Sequence, residues 1–74
     1  MLYYQKNNAM YYQLDSGSVT FTEVFTSPAQ KRVMKITGEQ AYNDTVTRIN
    51  NNQFEVSTEG EFNNVKTTVL NLLS

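Results

Sequence analysis

Apolar and polar residues alternate in the first half of the chain and recur at helical spacing in the second. Met10, Tyr12 and Leu14 alternate with Tyr11, Gln13 and Asp15, the period of two that a half-buried strand imposes. Ahead of them, Leu2 to Lys6 is a short aromatic run. It is followed by Asn7-Asn8, a pair that tolerates the left-handed backbone of a tight turn. Ser16-Gly17 marks a second turn. Beyond it, Val19, Phe21 and Phe25 share one face, and Thr20, Thr22, Val24 and Thr26 share the other. Ser27-Pro28 ends this strand, because proline cannot donate to a ladder, and Arg32 to Ile36 makes a fourth.

At Thr37 the period changes. Thr37-Gly38-Glu39-Gln40 has the spacing of a capping box, and Ala41, Tyr42, Thr45, Val46 and Ile49 follow at helical intervals. Asn50-Asn51-Asn52 is a stop, since asparagine competes for backbone hydrogen bonds. Phe54 and Val56 fit a short strand or a loop pinned to the core. Thr58-Glu59-Gly60-Glu61 is a second capping box, with its acids where the helix dipole favours negative charge. Phe62, Val65, Val69, Leu72 and Leu73 then lie on one helical stripe; the Thr67-Thr68-Val69 cluster also admits a strand. A helix that stays apolar to this point suggests docking, onto its own sheet or onto a neighbouring subunit.

Strands segregated from helices imply an α+β fold. The expectation is a single small domain over 1–74. It consists of an antiparallel β-meander of three or four strands followed by two helices packed on one sheet face. The doubled Tyr-Tyr-Gln of Tyr3-Tyr4-Gln5 and Tyr11-Tyr12-Gln13 then reads as the two arms of a hairpin, being too short for a repeat architecture. Each arm places one tyrosine on each face. Leu2, Tyr4, Met10, Tyr12, Leu14, Val19 and Phe21 would meet the helices. Tyr3, Gln5, Tyr11, Gln13, Thr20, Thr22 and Val24 would form the far face.

Composition narrows the chemistry. With no Cys and no His, disulfides, thiol or imidazole metal sites and the common nucleophilic dyads and triads are excluded. Seven Asp and Glu stand against six Lys and Arg, so no overall field draws the chain to nucleic acid or an anionic membrane. Five Tyr and four Phe, with only 18% charged residues, mark a folded chain. No carboxylate pair is spaced for a shared pocket, and no glycine-rich phosphate loop occurs. An enzyme, a cofactor and a small-molecule substrate are therefore not expected. No segment has transmembrane length, and the first residues lack a basic region followed by an apolar run. The reading is synthesis in the cytoplasm with no membrane partner, and a virion association remains compatible with it.

The far face is the candidate protein interface, because tyrosines and amides without fixed charge suit one. A solvated outer sheet face is the alternative. Lys31, Arg32 and Lys35 form the one basic cluster, a weak nucleic-acid candidate that reads more simply as edge protection or solubility. Glu23 interrupts an apolar face. It fits a bulge or edge strand that turns the side chain outward, or else a buried acid. The expected function is a non-catalytic protein–protein interaction module that binds a protein partner or itself. Its Asn- and Thr-rich composition suits a small viral or phage structural or accessory subunit of a larger assembly. A soluble phage-type inhibitor or adaptor that binds a host protein is the alternative, and a single-stranded nucleic-acid binder is the third reading.

Overall fold

The computed structural model describes residues 1–74. Strands β1 (Leu2–Lys6), β2 (Met10–Asp15), β3 (Thr20–Phe25) and β4 (Arg32–Thr37) precede helix α1 (Glu39–Asn51). A short strand β5 (Glu55–Val56) and helix α2 (Glu59–Leu73) follow. All neighbouring strands are antiparallel, in the order β4-β3-β2-β1-β5. The expected α+β class holds: a meander of four strands, then two helices packed against the sheet. The fifth strand closes the β1 edge. Helix α1 therefore carries the chain across the sheet from one edge to the other.

The turns form where the residue types allow it. Asn7 and Asn8 both have left-handed φ, 56° and 54°, and the Ala9 amide closes the turn on the Lys6 carbonyl at 3.0 Å. Tyr3 consequently faces Gln13, and Gln5 faces Tyr11, so the doubled Tyr-Tyr-Gln is a hairpin. Val19 lies in the β2–β3 turn at φ 46°, ahead of the strand rather than in it. That is a costly conformation for a β-branched residue. Val19 still packs against the α1 core, and its carbonyl accepts the Gly38 amide at 3.0 Å.

The two capping boxes fare differently. Thr58 caps α2 by accepting the Glu61 amide at 3.1 Å, and Ser57 donates to the Glu61 carboxylate. Thr37 caps nothing. It is still the last residue of β4, and its hydroxyl lies 3.0 Å from that of Thr20 across the ladder. Gly38 is the N-cap of α1, at φ 144° and without a side-chain bond. At the other end α1 stops in the asparagine tract, where the Asn52 side-chain amide donates to the Arg48 carbonyl at 2.6 Å.

Both helices cover the sheet, but they divide between its faces, where one shared face was expected. Tyr12, Leu14 and Phe21 pack with Tyr42 and Ile49 of α1. Tyr11 and Val24 pack with Phe62 and Val69 of α2, flanked by Tyr3, Val33 and Val65. The physical reason lies in the far face itself, which carries Tyr3, Tyr11, Val24 and Val33, too much apolar surface to leave in water. Strand β5 lets the chain pass around the β1 edge, anchored where the Ser57 amide donates to the Tyr3 carbonyl at 2.8 Å. Phe54 pins this passage to the α1 core, while Val56 points to solvent. The Thr67–Val69 cluster is helical.

Candidate functional site

The seven residues expected on the far face do share one face, and α2 lies over it. Thr20, Thr22, Tyr11 and Val24 are buried within the chain, and Tyr3, Gln5 and Gln13 are half-buried. The Tyr3 ring packs at 5.6 Å from that of Phe62, tilted by 52°, and the Tyr3 hydroxyl accepts from the Gln13 amide at 3.1 Å. Burial and the nearby Glu61 charge raise the Tyr11 hydroxyl above its usual range. These side chains form the second core layer of the fold, so an open tyrosine platform does not exist in the folded chain. The Thr and Gln of this face do not keep it open to solvent. Every buried polar side-chain atom has a hydrogen-bond partner, so a face of this kind is stable under a helix.

The basic cluster is split by the pleat. Arg32 lies on the α1 face with Phe25, whereas Lys35 pairs with Thr22 on the α2 face. Arg32 is also engaged, its guanidinium 2.8 Å from Glu23. Glu23 is neither bulged nor turned outward. It sits in regular register between Tyr12 and Met34 and is buried on the α1 face. The Tyr12 hydroxyl donates to its second oxygen at 3.2 Å, and Arg48 of α1 donates to that hydroxyl at 3.0 Å. Burial first, and then the adjacent Glu23 carboxylate, push the Tyr12 hydroxyl up to about 12. Tyr12 is thus a protonated link between a cation and an anion, inside an otherwise apolar layer.

The end of α2 leaves apolar side chains exposed. Its stripe buries Phe62 and Val69, while Leu70, Leu72 and Leu73 in the last turns are 47%, 61% and 52% exposed. No charged residue occurs after Lys66 in this helix. Beside it lies a groove of about 250 Å³ whose walls include Tyr11, Thr26, Val65 and Leu72. The sequence carried this signal, since the apolar stripe reaches Leu73.

No three Cys, His, Asp or Glu side chains converge as metal ligands would, and no helix is long and apolar enough to cross a membrane. No protein-family model matches the chain, nor does any curated protein or solved structure.

Proposed function

We propose that this chain is a non-catalytic protein–protein interaction module, a subunit that assembles with further copies of itself through the end of α2. The observation that carries the reading is the exposure of Leu72, which lines the groove, and of Leu73 beside it in the last turn, where no side chain is charged. An apolar, uncharged helix end is self-complementary, as a two-fold contact between identical subunits requires. The net charge of −1 leaves little long-range repulsion to oppose association. A protein with no His and no Cys is also poorly equipped for the common modes of nucleophilic catalysis.

Light scattering across a wide concentration range, at two salt concentrations, tests this. Growth in mass with concentration, undiminished by salt, is the expected result, because apolar contacts are not screened. Leu72→Asp with Leu73→Asp should return the chain to a folded monomer. A wild-type monomer at every concentration would sink self-assembly and favour an adaptor that docks a different protein on the same helix end. Mass that falls steeply with salt would point to a charge-driven contact elsewhere.

A further inference from the structure

At the opposite face, one row of residues crosses the sheet at its end: Lys6 pairs with Met10, Met10 with Phe25, and Phe25 with Arg32. Helix α1 leaves this row partly uncovered, and a cavity of about 330 Å³ opens there. The row forms one side of it. Tyr12 of the neighbouring row lines it too, and Arg48, Asn52 and Phe54 close it from the α1 end. Each cation in the lining lies over an aromatic ring. Lys6 Nζ is 5.8 Å from the Phe54 ring, Arg32 Cζ is 4.4 Å from Phe25 and Arg48 Cζ is 5.7 Å from Tyr12. Half of the six Lys and Arg of a slightly acidic chain therefore gather around one cavity.

Only part of that positive charge is answered. Arg32–Glu23, at 2.8 Å, is the single salt bridge of the protein, so Lys6 and Arg48 have no carboxylate partner. Arg48 uses one N–H on the Tyr12 hydroxyl and keeps its remaining donors. Gathering like charges costs Coulomb energy that an anion in the cavity would return, and more strongly where aromatic walls exclude water. The carboxyl end of α1 brings an opposing partial negative charge, tempered where Asn52 donates to the Arg48 carbonyl. Together with Glu23, this disfavours a dianion. The size is near the lower limit of small-molecule pockets, about 300–1,000 Å³, enough for a single ring.

We propose that this cavity is a binding site for a monoanionic aromatic carboxylate. Its carboxylate would lie against Arg48 and Lys6, and its ring among Met10, Phe25 and Phe54. A guanidinium offers a carboxylate two parallel N–H bonds, and the flexible lysine adds a point charge. The inference is independent of assembly through α2, which uses the other sheet face.

The test is an NMR titration with benzoate, and with benzyl alcohol as its uncharged counterpart. Benzoate should give saturable shifts at the Met10 methyl, the Phe25 and Phe54 rings and the Arg48 side-chain N–H. It should bind roughly tenfold more tightly than benzyl alcohol. Lys6→Gln and Arg48→Gln should each weaken benzoate by a larger factor than benzyl alcohol. Should Arg48→Gln fail to fold, Lys6→Gln decides alone, since Lys6 makes no hydrogen bond through its side chain. Equal affinity for the two compounds would overturn the proposal, reducing the cavity to an apolar cleft. So would an absence of saturable benzoate shifts, or unchanged benzoate affinity in Lys6→Gln.

Discussion

Phe62→Ala is the sharpest perturbation of the two-faced core. Phe62 has no exposed surface, is the largest α2 side chain in the second core layer, and holds the Tyr3 ring at 5.6 Å. Truncating a buried phenylalanine costs about 3–5 kcal/mol, because transfer energy is lost and the cavity relaxes only in part. A chain of 74 residues has a total stability on the order of 4–11 kcal/mol. The variant should therefore lose roughly a quarter of its stability at the least, and all of it at the upper end of the cost. Leu72→Ala is the internal control, on the same helix but 61% exposed, and should stay within about 0.5 kcal/mol of wild type. Urea unfolding followed by circular dichroism measures both, at a concentration low enough to hold the monomer. The slope with denaturant should stay constant, so that midpoint shifts report stability alone. A cost below about 1 kcal/mol for Phe62→Ala, or a comparable cost for the two variants, would refute the packing of α2 on the Tyr11–Val24 face.

Stability should fall between about pH 10 and about 12, because the Tyr12 hydroxyl titrates near 12 in the folded chain against 10.0 when unfolded. In that window the native state retains a proton that the unfolded chain has released, so each rise in pH favours unfolding. The loss is on the order of 2 kcal/mol, and Tyr12→Phe should flatten the slope in urea titrations at stepped pH, leaving the smaller part due to Tyr11. Thr58→Ala should cost about 1 kcal/mol through loss of the α2 cap, visible as a lowered urea midpoint. Gly38→Ala should cost more than about 1 kcal/mol in the same assay, although a Cβ meets nothing within 4 Å, because φ 144° is closed to alanine.

Local signals were readable because they depend on neighbours in the chain. The asparagine turn, the alternation of β2 and the cap at Thr58 each need only a few residues, and all three occur as read. Thr37 failed as a cap for a tertiary reason, since Thr20 across the ladder already held its hydroxyl. The path of the chain after α1 was harder still. A two-residue strand at the β1 edge decides which face α2 covers, and Glu55-Val56 carries almost no signal of its own. The Lys6–Arg48 cavity was invisible, because its cations come from β1, β4 and α1 and meet only through register.

The tyrosine pairs explain why the two faces differ in chemistry. Tyr11 and Tyr12 are consecutive, so one strand sends an equal aromatic anchor into each layer. On the α2 side the anchor is surrounded by Val24, Phe62 and Val69, and the excess apolar surface is expelled at the helix end as Leu72 and Leu73. On the α1 side the anchor's hydroxyl meets Glu23, and a buried carboxylate must recruit cations to be tolerated. Arg32 meets that need at 2.8 Å. Arg48 reaches only the Tyr12 hydroxyl, and Lys6 is held over Phe54, so the recruited charge exceeds the carboxylate that called for it. A buried carboxylate on one face thus leaves an excess of positive charge around the cavity, whereas the other face buries only uncharged polar groups such as Thr20 and Thr22. The chemical contrast between the two proposed surfaces traces to one acid placed beneath one of two adjacent tyrosines.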